Sequence, residues 1–442
     1  MTASDEGTRK PRVLKGFRDF LPQQMILRQR IIGIFREIFE HHGFEPLDTP
    51  ALEYLEVLTG KAGENEKLMY HFADQGGREV GLRYDLTVPL ARVVAMHQND
   101  LILPFKRYHI APVWRAENPQ RGRFREFWQC DADIVGSPSM LADAEVVSIM
   151  AESLRAIGMP NFVIHVSHRK LLEGIGRAAG VPPVQATTLY RAIDKLDKIG
   201  RDGVVRELTD AGLSLAAADR VLDLTATEGE PPAVLAHLRR EVGNDPEAAS
   251  ALDDLDQLFA ALPDFGVPAE SYRLDPSLAR GLDYYTGPVY EAKVTVPKVG
   301  SVAGAGRYDG LIGTFLGRPV PATGISLGLE RIVEVILEHG LMPVPGSVAE
   351  VAIIGFPDTI GAAARLATDL RASGVRVDLS LQAQKSVGDQ LKQAGRKRLP
   401  LAVIVGATEI AEGRIALKDL RANDQITLPL ADLPAEIIRR RS

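Results

Sequence analysis

The stretch Phe105 to Gly136, FKRYHIAPVWRAENPQRGRFREFWQCDADIVG, constrains the fold of this chain more than any other. Lys106 to Trp114 and Arg125 to Val135 have the aromatic and β-branched content of strands, and Glu117 to Gly122 between them carries the turn chemistry of Asn118, Pro119 and Gly122. The pattern predicts an antiparallel hairpin with a long tip. Side chains alternate across a strand, so the second arm puts Trp128, Cys130, Ala132 and Ile134 on one face and Phe127, Gln129, Asp131 and Asp133 on the other. The first row is core. Two carboxylates beside an amide in the second row make either a solvated sheet face or the floor of a polar pocket. Arg115, Arg121, Arg123 and Arg125 around the loop favour the pocket, because a forked guanidinium grips phosphate at two points. Acids on the floor and arginines at the rim point to a phosphorylated ligand beside a cationic one.

A chain of 442 residues exceeds one ordinary domain, and two or three are expected. With 45% hydrophobic and 25% charged residues it has ample material for a globular core. A net charge of −6 argues against a generally basic nucleic-acid coat but leaves room for local basic patches. The single cysteine, Cys130, cannot form an internal disulfide and sits in the apolar row, which fits a reducing compartment. The start, MTASDEGTRKPRVLKG, lacks the apolar core of a signal peptide, and no later run approaches the roughly 18 apolar residues that span a bilayer. A cytoplasmic location without a membrane partner is expected.

Along the chain, Leu27, Ile31, Ile34, Phe35, Ile38 and Phe39 recur at helical spacing and Gly43 supplies a stop. Phe44 to Leu47 then reads as a short strand leading to Pro50. Glu79 to Thr87 (EVGLRYDLT) reads as another strand, with Arg83, Asp85 and Thr87 on one face. LTGKA near Lys61 is no phosphate-binding P-loop, since Ala62 stands where Ser or Thr is needed. His165 and His168 lack acidic or thiol neighbours at ligand spacing, so no metal site is expected. Lys170 to about Leu262 turns rich in Ala, Leu, Asp and Arg and poor in aromatics, the composition of a helical insertion. Strand patterning returns through ARGLDYYTGPVYE (279–291) and SVAGAGRYDG (301–310), where Gly304 and Gly306 smooth the backbone for a ligand. Beyond the linker-like GLMPVPG, apolar strands at 351–355, 375–379 and 401–405 alternate with helical stretches in a small parallel-type α/β domain.

These residues together resemble a class II aminoacyl-tRNA synthetase, and within that class the histidyl-tRNA synthetase family. The helix through Pro50 resembles class motif 1, Trp114 to Phe127 motif 2 and Gly324 to Ile332 (GISLGLERI) motif 3. RGLDYYTGPVYE (280–291) and GRYDGL (306–311) resemble the narrower histidine signatures. The resemblance implies an α+β catalytic domain built on a mainly antiparallel sheet, with a helical insertion and a C-terminal α/β anticodon-binding domain. It divides the chain into a core over 1–168 and 263–338, an insertion over 169–262, a linker over 339–348 and the anticodon domain over 349–442.

By the same resemblance, Arg115 holds the α-phosphate of ATP, Glu117 the adenine amino group, Phe127 stacks on adenine, and Arg123 with Arg331 holds the terminal phosphate. Asp85, Thr87 and Gln129 take the α-amino group of L-histidine. Asp133 and Tyr285 take its imidazole, Tyr308 closes the pocket with Tyr284 beside it, and Arg280 bridges the histidine carboxylate and the α-phosphate. The implied ligands are ATP with Mg2+, L-histidine and histidine tRNA, with a homodimer as the assembly. Asp85 and Asp133 stand where many bacterial members carry Glu, and Ala305 where glycine is usual. A different class of function shares the fold: the regulatory subunit of ATP phosphoribosyltransferase, which binds histidine and charges no tRNA. Arg280, the motif 2 arginines and the C-terminal domain argue against it.

Overall fold

The computed structural model describes residues 10–59, 63–120, 122–159, 161–279, 284–294 and 300–440. Arg121 and Arg280 lie outside the described residues. The chain divides into two compact units, one comprising residues up to Asp19 and Ile31–Met342, the other Phe20–Arg30 and Pro343 onward.

The first unit is organised on an eight-stranded sheet. Its strands are β1 (Glu45–Pro46), β5 (Phe105–Trp114), β6 (Glu126–Val135), β7 (Phe162–His168), β8 (Tyr272–Leu274), β9 (Pro288–Val294), β10 (Gly300–Arg307) and β11 (Ala322–Gly328), in the order β1-β5-β6-β11-β10-β9-β7-β8. Only the edge pairs β1–β5 and β7–β8 are parallel. The β5–β6 hairpin is as the alternation predicts: Cys130, Ala132 and Ile134 are buried on the core face. Ile31, Phe35 and Phe39 from the helix Pro22–His41 are fully buried, and the Phe39 ring packs 5.8 Å from that of Tyr108 on β5. The helix gives way at Gly43, whose φ of +74° suits a residue without a Cβ.

A small sheet, β2 (Leu52–Tyr54), β3 (His71–Ala73) and β4 (Glu79–Leu82) in the order β2-β4-β3, flanks the large one in sequence. The strand expected over 79–87 therefore stops at Leu82. Asp85 ends it: its Oδ1 accepts from the Val88 amide (3.0 Å), satisfying a free N–H at the start of the helix Thr87–Met96. Residues 169–261 form consecutive helices from Arg169–Ala178 to Pro246–Ala261, and Asp245 caps the last of these while accepting a two-point grip from Arg177. His165 and His168 bond Asp275 (2.6 Å) and Asp254 (3.3 Å).

The second unit carries β12 (Val351–Gly355), β13 (Val377–Leu379), β14 (Leu401–Val405), β15 (Arg414–Asp419) and β16 (Asp424–Pro429), ordered β13-β12-β14-β15-β16. It is mixed rather than parallel-type: β13, β12 and β14 run parallel, then β15 and β16 return antiparallel. A tight turn containing Asn423 at φ +53° makes that hairpin, and its polar composition hid both strands from a reading based on apolar runs. On this unit Lys397 donates to Asp378 (2.6 Å), and Arg439 and Arg440 both donate to Glu436.

Candidate active site

The polar face of β6 is a floor three strands wide. Antiparallel pairing sets Ala111, Gln129 and Gly328 in one row, His109, Asp131 and Ser326 in the next, and Arg107, Asp133 and Gly324 in the third. Paired residues share a face, so these rows present one continuous polar surface.

At the hairpin-tip end lies a cavity of about 280 Å³ whose lining includes Arg115, Glu117, Arg123, Phe127, Gln129 and Arg331. All five residues expected to hold the nucleotide are among them. Arg115 is aimed by its Nε bond to the Tyr84 carbonyl (2.9 Å) and lies over the Phe127 ring, 5.1 Å from its centroid. Phe127 is backed by Leu86, Ala111 and Val113. Arg331 donates to the Ser301 carbonyl (2.6 Å), and Arg123 sits 3.6 Å from Glu117. Glu330 beside it accepts from the Trp128 amide (2.8 Å), which ties the helix Leu329–His339 to β6. Three guanidiniums converging on a hollow lined by the Phe124 and Phe127 rings can hold a polyphosphate and a planar base.

Beyond Gln129 the floor becomes acidic and dry. Asp85, Asp131 and Asp133 are each at most 2% exposed. Asp133 Oδ1 accepts from the Tyr308 hydroxyl, and its Oδ2 lies 2.8 Å from Arg107 Nη2, a close ion contact. Asp85 Oδ2 accepts from Tyr284 (3.3 Å), whose ring packs against those of Tyr285 and Tyr308 at 5.1 and 5.9 Å. Burial raises all three carboxyls; Arg115 opposes this at Asp85 and Arg107 at Asp131 and Asp133. Arg107 is the one cation in direct ion contact with these three acids among the described residues, so a cationic ligand is the missing charge.

Room for that ligand is made by missing side chains. A Cβ on Gly324 would fall 2.0 Å from Asp133 Oδ1, and one on Gly306 would fall 2.7 Å from the Tyr285 ring. Gly304 faces open space. Ala305, between them, points to the other face by alternation and is buried there, so its methyl does not narrow the pocket. Thr87 is buried at the start of its helix rather than on a strand face. Reasoning from sequence missed Arg107 and Ser326. Counting the hairpin register back from the Trp114–Glu126 pair puts Arg107 opposite Asp133, a signal that was available.

A mainly antiparallel sheet bearing the arginine-rimmed hairpin, closed by a glycine-rich strand running straight into a helix that begins Leu329-Glu330-Arg331, is the catalytic core of a class II aminoacyl-tRNA synthetase. The Histidyl-tRNA synthetase family model matches residues 16–332, and the Anticodon binding domain model matches residues 350–440. The chain belongs to the histidyl-tRNA synthetase family. A histidine–tRNA ligase of Aeropyrum pernix is 46% identical over 438 residues, spanning 96% of this chain and 97% of its own. The crystal structure of histidyl-tRNA synthetase from Nostoc sp. PCC 7120 superposes with a TM-score of 0.88 at 32% identity, covering 98% of this chain and 99% of that one. A structure described as an ATP phosphoribosyltransferase regulatory subunit/histidyl-tRNA synthetase from Bacillus halodurans matches less well, with a TM-score of 0.73 at 25% identity over 87% of this chain and 97% of that one.

Proposed function

We infer that this chain activates L-histidine with Mg-ATP and transfers it to the 3′ end of histidine tRNA. The observation that carries the reading is the sharing of Gln129 between an arginine-lined cavity and a buried, acid-rich pocket. Such a junction holds a phosphate and an ammonium-bearing acid side by side. A carboxylate oxygen of histidine attacks the α-phosphorus, the bond to the β-phosphate breaks, and pyrophosphate leaves with its electron pair. A hydroxyl of the terminal adenosine then attacks the histidyl carbonyl and AMP departs. Both reactants of the first step are anions, so alignment and cationic neutralisation supply most of the catalysis. Arg115 serves the α-phosphate and Glu117 with Phe127 the adenine. Arg123 and Arg331 take the terminal phosphate, and Mg2+ arrives with the nucleotide as part of the substrate. Arg280 is the proposed bridge between the two reacting anions.

The ring of histidine fits the tyrosine-lined end, where Asp133 and Tyr285 provide polar partners; an apolar analogue would leave them unpaired. Residues 169–262 are proposed to grip the acceptor arm of the tRNA and residues 349–442 to read its anticodon, with 339–348 linking the two parts. A homodimer in the cytoplasm completes the reading, and no described helix is long and apolar enough to cross a membrane. The test is exchange of labelled pyrophosphate into ATP across the twenty amino acids, followed by tRNA charging. Exchange with histidine alone is expected. Folded protein that binds histidine yet does neither reaction would turn the assignment to the regulatory subunit.

Gly324→Ala offers a narrower check. The added methyl displaces Asp133, so the KM for histidine is expected to rise at least about tenfold while that for ATP stays within about twofold. Equal changes in both constants would remove Gly324 from the specificity pocket.

A further inference from the structure

We propose that Asp131, acting with the amide oxygen of Gln129, binds the α-ammonium of the amino-acid substrate and so positions its carboxylate for reaction. The proposal rests on the histidine-activation reading above and adds to it an acid outside the set that the family resemblance supplied.

On this face of β6, Gln129 Oε1 and Asp131 Oδ1 are buried acceptors with neither a hydrogen-bond partner nor an ion contact among the described residues. Buried polar atoms are rarely left unpaired, and water, an ion or a ligand commonly meets those that are. The other acids are engaged: Asp133 by Tyr308 and Arg107, Asp85 by the Val88 amide and Tyr284. A hydrogen bond orients the Gln129 amide: its Nε2 donates to Ser326 Oγ (2.7 Å), and Ser326 is the cross-strand neighbour of Asp131. With its nitrogen committed, the Gln129 amide must turn its oxygen away from Ser326. Residues two apart on a strand stand about 6.6 Å from each other along the backbone on one face, and side chains that converge to about 4.6 Å let one ammonium donate to both.

Position decides which substrate group goes there. Gln129 lines the phosphate cavity, and the reacting carboxylate must lie at that boundary. In an amino acid the ammonium is attached to the carbon next to the carboxylate, whereas the ring is farther out. The ammonium therefore meets Gln129 and Asp131, and the ring reaches Asp133, Tyr285 and Tyr308.

The charged surroundings agree. Asp131 faces Arg107 and His109 on β5, Asp133 on its own strand, Ser326 on β11, and Asp85 with Tyr285 from the segments above. Arg107 makes its ion contact with Asp133, and burial first, then Arg107 and Arg83, hold His109 at about 3, so it stays neutral. Burial, opposed by Arg107 and reinforced by Asp133, pushes Asp131 up to about 8. An ammonium ligand prefers the ionised acid. Below about pH 8 the free protein must lose a proton to bind it, so affinity rises with pH towards 8.

The experiment titrates wild type and Asp131→Asn with histidinol, which keeps the ammonium and ring, and with 3-(imidazol-4-yl)propionate, which keeps the ring and carboxylate. Asp131→Asn is expected to weaken histidinol about 30- to 100-fold and to leave the propionate and the KM for ATP within about twofold. In wild type, histidinol should gain affinity over the propionate between pH 6.5 and 8, a difference from which the titration of the shared ring cancels. This arm needs no variant. Equal weakening of both ligands, no weakening of either, or parallel pH profiles would overturn the assignment. Wild-type protein that binds neither ligand would instead overturn the histidine reading beneath it.

Discussion

Arg115→Ala is expected to lower histidine-dependent pyrophosphate exchange by about 10²- to 10³-fold, chiefly in kcat, with the fold intact. Arg115 is the side chain through which the two halves of the site meet. Its Nε is committed to the Tyr84 carbonyl, which leaves the outer nitrogens of the fork directed at the cavity it lines. Its charge also reaches the acid pocket, where it draws down the raised carboxyl of Asp85. In the dry boundary between them, a cation fixed before the substrates arrive stabilises the added negative charge of the phosphorus transition state without reorganising. Arg115→Lys keeps the charge but loses the fork and the Tyr84 anchor, so it should recover only a small part of the rate. Steady-state exchange over a range of ATP and histidine concentrations reads the result. A loss confined to KM would reassign Arg115 to ground-state binding alone.

Asp143→Ala is expected to cost about 3–5 kcal/mol of stability. Asp143 is fully buried in the helix Met140–Ala156, paired with Arg307 and accepting from Tyr290 (3.0 Å) and Thr323 (2.9 Å). Its removal leaves a guanidinium 5% exposed with only the more distant Asp309 (3.3 Å) as a carboxylate partner, and two hydroxyls without their Asp143 acceptor. Arg307 also holds the Ser137 and Ser139 carbonyls, at 3.0 and 3.2 Å, so the network pins that helix to β10 and β11. Tyr308, the next residue, carries the hydroxyl bonded to Asp133, and the histidine site should loosen with the fold. Urea unfolding followed by circular dichroism measures the loss. A change below about 1 kcal/mol would mean that the pair is replaceable by packing.

The hairpin and its two faces were legible in sequence because period-two alternation is a local property, readable wherever one face is buried. The Arg115, Glu117, Arg123, Phe127 and Arg331 set was legible as chemistry, and the cavity gathers all five. Asp85 and Thr87 were misread as strand residues because β-like composition at EVGLRYDLT does not reveal that Asp85 turns back to cap a helix. The hairpin of β15 and β16 was missed because its strands carry charge on an exposed face and its turn lacks glycine.

By itself, the sequence determined the identity of each strand's pocket face, the arginine rim and the family. Those follow from residue type and spacing along one chain. Only the tertiary structure decided which acids remain free to act. Asp131 and Asp133 look equivalent in QCDAD, two positions apart on one face. Pairing across the sheet gives Asp133 the Arg107 contact and sets Asp131 between neutral His109 and Ser326, because cross-strand register, not sequence neighbourhood, sets what each buried charge meets.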